Sequence, residues 1–203
     1  QRTEICAAVH CPALTIRRLG GYIHVALHHV ERWREINYAE ADKEYRANPK
    51  DPNARYGHAF TTIAAYEHWM KSDKERGAVH LAVMRLLGLF DREADYEYLA
   101  EFRQQPVITG LTEPLVDLSD KDWNIALSRL EECSLVSLKK SASSKHFGSV
   151  DTHPLVREYF AKRVQEGDGA ASVSPAVRVA PIASAAWRAA HRRLYEHFSK
   201  HEE

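Results

Sequence analysis

Cysteine is scarce and without pattern. Cys6, Cys11 and Cys133 make an odd set of three, which excludes a disulfide framework and points to a reducing, cytoplasmic compartment. No run of about 18 apolar residues occurs, so no membrane-spanning helix is expected, and the N-terminus lacks the apolar core of a secretory signal. An excess of one charge is missing too. Lys plus Arg and Asp plus Glu balance at 28 each, so no global field draws the chain to nucleic acid or to an anionic membrane. No Ser/His/Asp or Cys/His set stands out, and glycine-rich phosphate cradles are lacking. No catalytic residue is therefore assigned, and an enzyme in its own right is not expected.

What is present is an ordinary globular composition. The chain has 203 residues, 44% hydrophobic and 28% charged, enough for one large domain or two small ones. It begins at Gln1 and ends inside an expected helix over residues 187–201, so both ends read as cut from something longer.

Pro12 stands at a first helical position, and Leu14, Leu19, Ile23 and Leu27 follow at helical spacing. Gly20 and Gly21 weaken that helix by roughly 1 kcal/mol each relative to Ala, which points to close packing by another element. A charged helix over residues 31–45 and a turn-rich loop over 47–53 come next. Phe60, Ile63, Ala64 and Trp69 share one apolar face. Val79, Leu81, Ala82, Met84, Leu86, Leu87, Leu89 and Phe90 make a helix apolar on most sides, the mark of a central core element. A turn over 91–94, a short helix ending before Pro106 and an ordered loop over 106–118 follow.

Ser119 with Asp122 three residues later resembles a capping box and opens a helix whose buried face is Trp123, Ala126, Leu127 and Leu130. A strand over 135–138, a polar tip over 139–145 and a second strand over 147–152 lead into a helix over 154–165. Three helices, a two-stranded antiparallel hairpin and a closing helix form a winged-helix pattern. Residues 167–184, rich in Ala, Gly, Ser, Pro and Val, read as a flexible linker. The expected fold is mainly α, a helical bundle segment plus a winged helix with a small antiparallel β-hairpin.

One residue draws attention within this frame. His153 lies in Val150-Asp151-Thr152-His153-Pro154-Leu155-Val156-Arg157, where a strand passes into a helix started by Pro154. An imidazole there, beside free helix N–H groups, is placed to hold an anion. The competing reading is a helix-capping or satisfied surface histidine. His24 and His28 have a spacing that can bind zinc on a helix, but no ligand set completes around them or around Cys6, His10 and Cys11. A solvated face is expected there, and no metal.

In its order of segments the chain resembles the STAND class of signalling NTPases, the NB-ARC and NACHT switch ATPases. Cys11-Pro12-Ala13-Leu14 through Leu19-Gly20-Gly21-Tyr22-Ile23 is similar to that class's GLPLAL helix. Leu86-Leu87-Gly88-Leu89-Phe90-Asp91 looks like the first core helix of its winged helix, and Ser119 to Leu138 fits its third helix and first wing strand. Thr152-His153-Pro154-Leu155-Val156-Arg157-Glu158-Tyr159 looks like its MHD-type motif. The likeness spans about residues 8–166 and is closest to bacterial members in which helical repeats follow the winged helix.

The resemblance implies that residues 1–57 end an ARC-like helical subdomain, 58–166 form the winged helix, 167–184 link, and 185–203 begin TPR-like repeats. It implies that Pro12 packs on the adenine of a nucleotide and that His153 reaches the β-phosphate of ADP. Pro154 stands where the class has an Asp that helps hold the motif, and Cys11 where it has Leu. No GxxxxGKS/T loop occurs in the sequence, so ADP or ATP with Mg belongs to the intact parent and not to this chain alone. The implied partners are an upstream P-loop domain and downstream repeats of the same chain, with oligomerisation on activation.

DNA or protein binding by the winged helix is the rival reading. The would-be recognition helix carries Asp120, Asp122, Glu131 and Glu132 against Lys121 and Arg129, a net of minus two facing any docked phosphate backbone. The wing offers Lys139, Lys140 and Lys145, enough to neutralise about three phosphates but not to read bases.

Overall fold

The computed structural model describes residues 57–141, 147–167 and 184–199. Pro12, the glycine pair, the histidines at 24 and 28, and Lys145 lie outside the described residues. Among the described residues, six helices and three short strands run in the order α1 (Gly57–Ser72), α2 (Gly77–Leu87), β1 (Ala94–Asp95), α3 (Tyr96–Glu101), α4 (Asp120–Glu132), β2 (Val136–Lys140), β3 (Phe147–Thr152), α5 (Pro154–Glu166) and α6 (Ala185–Ser199). The fold is mainly α with a small antiparallel sheet, as the apolar periodicity predicts.

Helix α2 occupies the centre. All of its residues from Ala82 to Leu87 are buried, and it packs against α1, α4 and α5. Gly88 at its exit touches α5 closely: a Cβ there would stand 2.6 Å from the Ala161 amide nitrogen. Any side chain at this position therefore pushes α5 off the core. Around α2 gather Phe60, Tyr66, Phe102, Trp123 and Phe160, each essentially inaccessible to solvent.

Polar ties reinforce this packing. The buried Glu67 carboxylate of α1 accepts hydrogen bonds from Tyr159 Oη and, at 3.1 Å, from Arg163 Nε, both on α5, and pairs with Lys71 Nζ at 2.7 Å. Burial alone raises its pKa, but Arg163, Lys71 and Tyr159 together outweigh that and hold it below the usual carboxylate value. Tyr66 Oη donates to the Cys133 carbonyl at 2.8 Å. Burial pushes the Cys133 thiol up to about 12, so it behaves as a small apolar residue.

Helix α4 starts as the capping pattern predicts, with a difference in detail. The Asp122 amide donates to Ser119 Oγ at 3.1 Å, while the Ser119 hydroxyl donates to the Asp122 carboxylate at 2.6 Å. The Asp side chain thus engages the hydroxyl itself, where the longer Glu of a capping box reaches back to the cap's amide.

The sheet has the order β1-β3-β2 with both pairings antiparallel, one strand more than the hairpin expected. Ala94 pairs with Val150, and two residues are too few to produce the alternation that marks a strand. Strand β2 also runs on to Lys140, beyond an irregularity between Lys139 and Lys140. The core ends before the strand does, so apolar pattern stops short of the backbone pairing.

Helix α6 packs on the same core. Ala190 and Leu194 are buried, and the Arg193 guanidinium donates to the carbonyls of Glu101, Gln104 and Pro106. The segment read as a linker has both of its ends in the described residues, and they meet. Gly167 closes α5 with a positive φ of 75°. Ser184 donates its amide to Gln165 O at 2.8 Å and its hydroxyl to Val164 O, and its Oγ accepts from the Trp187 amide at 3.1 Å to cap α6. Ser184 therefore caps α6, and α6 is held against the end of α5. Among the described residues no helix is long and apolar enough to cross a membrane.

Candidate functional site

The corner between β3 and α5 is built from six consecutive residues, Thr152 to Arg157. Thr152 is fixed by pairing with Val136 and by its hydroxyl, which donates to Leu135 O at 2.6 Å. His153 follows in extended conformation, φ −63° and ψ 140°, as the N-cap of α5. Its Nδ1 accepts the Leu155 amide at 3.2 Å. Pro154 at the first helical position has no amide proton, which suits a place where that proton lacks an intrahelical partner. The Val156 and Arg157 amides both donate to His153 O, at 2.9 and 3.1 Å.

That accounting corrects one expectation. The first turn of α5 has no spare N–H to offer an anion, because Pro154 lacks one and the next three are engaged by His153 itself. The imidazole is a helix cap, and the generic helix-terminus argument does not apply here. The cap has a chemical consequence: a neutral imidazole that accepts through Nδ1 carries its proton on Nε2. The cap thereby sets which ring nitrogen is the donor.

The nearby cation is already committed. Arg157, whose side chain is 12% exposed, pairs through Nη2 with Asp151 of β3 and donates through Nη1 to Asp91 O at 2.7 Å. Nothing in the described residues bears on Pro12 or on its distance from His153.

The surface that a DNA-binding reading uses is also partly occupied. Asp120 pairs with Arg103 at 2.8 Å and Arg129 with Glu132 at 3.3 Å. On the wing, Lys139 pairs with Glu93, so one of its expected positive charges is neutralised.

Sequence reasoning passed over His80. It lies in α2 at 1% exposure, its ring stacked on Trp69 with centroids 6.1 Å apart and 16° between planes. Neither ring nitrogen has a hydrogen-bond partner among the described residues. Burial, the largest influence, brings its pKa down to about 4; Asp73 opposes this, while Arg129 and Arg76 add to it. The signal was a histidine inside a helix apolar on most sides. A small open groove of about 180 Å³ runs between the start of α2 and α4, lined by Val79, Leu118, Ile125 and Ala126 with Glu75, Arg76 and Asp122 at its polar edge. It is smaller than the roughly 300 Å³ from which small-molecule pockets begin.

Comparisons of the chain with protein-family models, with curated proteins and with solved structures return no match.

Proposed function

We propose that this chain is a non-catalytic regulatory segment of a STAND-type switch ATPase, its winged helix closing over ADP and opening when ATP replaces it. The observation that carries the reading is the His153 corner, where the cap through Nδ1 leaves Nε2 as the protonated nitrogen, the form a phosphate contact requires. ADP or ATP with Mg would sit on an upstream P-loop domain, and Pro12 would pack on the base. The fit to this chain is partial: one imidazole donor matches a β-phosphate, but no helix amide joins it. Such a switch is a rigid-body movement biased by different phosphate contacts in its two states.

Magnitudes limit what the chain does alone. A charge-assisted hydrogen bond contributes about 1.5–3 kcal/mol net, and base packing on Pro12 adds about 1 kcal/mol. The total corresponds to millimolar affinity. Calorimetry on the isolated chain is therefore expected to give an ADP Kd of about 1 mM or weaker. In the protein with its nucleotide core, His153→Ser preserves a good N-cap but is too short to reach a phosphate. It is expected to raise basal activity and hasten ADP release. Micromolar binding by the isolated chain, or unchanged ADP retention in the variant, overturns the proposal. The DNA-binding alternative has less support, since α4 is net acidic and Lys139 is paired.

A further inference from the structure

We infer that Arg157 is the positioning residue of His153. What His153 meets rests on the switch reading; how His153 is held does not. A proline at 154 brings no acceptor or donor in its side chain, so polar side-chain ties at this corner come from its neighbours. Arg157 lies one turn into α5, with its own amide on His153 O. Its guanidinium reaches back across the helix start to Asp151, two residues before His153, and sideways to Asp91 O in the turn that follows α2.

One side chain thus fastens three elements to one another: the last residues of β3, the first turn of α5 and the exit of α2. Close contact at Gly88 brings that exit against α5 and sets the distance the guanidinium spans. The planar fork suits the task. Its two terminal nitrogens point to two acceptors on different elements, a geometry that the single ammonium of lysine does not reproduce. The Nε proton finds no partner among the described residues, so the residue is placed for its two ends and tolerates an unmet group between them. With Thr152 fixed on one side and Arg157 on the other, His153 has its backbone and its Nδ1 acceptor held in register with the Leu155 amide.

The test is nitrogen-15 NMR of the His153 ring and hydrogen exchange of the Leu155 amide in the 203-residue chain. The variants are Arg157→Lys, which keeps charge and stem, and Asp151→Asn, at a side chain that is 42% exposed and so spares the core. Wild type is expected to hold the Nε2–H tautomer at neutral pH. Both variants are expected to mix the two tautomers and to exchange the Leu155 amide about tenfold faster. Folded variants that keep the wild-type tautomer and protection overturn the inference. A changed ring in Asp151→Asn with unchanged ADP retention in His153→Ser sustains the clamp and sinks the switch. The converse pair of results sinks the clamp and sustains the switch.

Discussion

His153 and His80 occupy two corners of one core and are treated in opposite ways. At the β3–α5 corner the imidazole has a partner for Nδ1, and the arginine beside it is paired at both ends. At the α1–α2 corner the imidazole is more deeply buried and has no hydrogen-bond partner for either nitrogen among the described residues. The first arrangement stabilises a chain reversal. The second carries an uncompensated polar group, held only by apolar packing and by the face of Trp69. A motif-like context drew attention to the histidine whose bonding is conventional, while the energetically unusual one sits in a stretch that looks like plain core.

The comparison breaks or holds first on pH, where the expected effect is largest. The folded pKa of His80, about 4, lies below its ordinary value of 6.5, so the folded state binds fewer protons than the unfolded state. The fold is free of this proton-linked cost above pH 6.5 and loses stability as pH falls towards 4, on the order of 3 kcal/mol across that window. Glu67 acts in the same direction but lower, because its pKa is held below 4.5. Urea titrations at pH 7 and pH 4.5 are expected to show this loss together with a contribution of the same sign from His191, whose pKa burial also lowers. His80→Leu is expected to flatten this profile. At pH 7 it also removes unmet hydrogen-bonding groups worth about 1–3 kcal/mol, against a lost ring stack worth about 0.5–1.5 kcal/mol. The variant is therefore expected to gain about 1 kcal/mol. An unchanged acid slope in His80→Leu would remove the contrast between the corners.

How far each corner was legible follows from the kind of force involved. Apolar period revealed α2 and the inner face of α4, because burial writes itself at every third or fourth residue. Local chemistry revealed Ser119 as a cap and Pro154 as a helix start, since both act within one turn. The two-residue strand β1 has no period to display. Arg193 on the carbonyls of Glu101, Gln104 and Pro106 joins a helix to a turn nearly ninety residues away in sequence, which leaves no local trace. The paired amides of α5 were countable in principle: a proline and a capping side chain account for two of the first three. His80 was hidden by its neighbours, because a residue in an apolar run reads as core whether or not its polar atoms are met. Pro12 lies outside the described residues, so the sequence pattern remains what speaks for it.

The second way to sharpen the comparison is smaller. If His153 is an ordinary cap, His153→Ala costs about 1 kcal/mol in urea unfolding and His153→Ser recovers most of it. That loss comes from one amide left unpaired at the helix start, with the rest of α5 still anchored by Val156, Tyr159 and Phe160. Equal stability of the alanine and serine variants would show that the Leu155 amide is satisfied without the cap, and the β3–α5 corner would then owe its order to Thr152, Arg157 and the backbone bonds to His153 O.

The smallest effect is expected on the wing, which serves as the reference for both corners. Lys139 and Glu93 are paired in the open, with side chains 59% and 37% exposed, so solvent screens their attraction and no change in Tm is expected from Glu93→Gln. The same substitution has a second use. It releases Lys139, so a wing that binds DNA gains one phosphate contact and a steeper salt dependence. A gel shift is expected to show at most weak binding at low salt, gone at roughly 0.15 M, because a few lysines beside a net acidic α4 give attraction without base contacts. Binding by the wild-type chain that survives this salt level, with Lys139 still paired, would mean that the acidic helix is not the docking face, and the rival reading would move ahead of the switch.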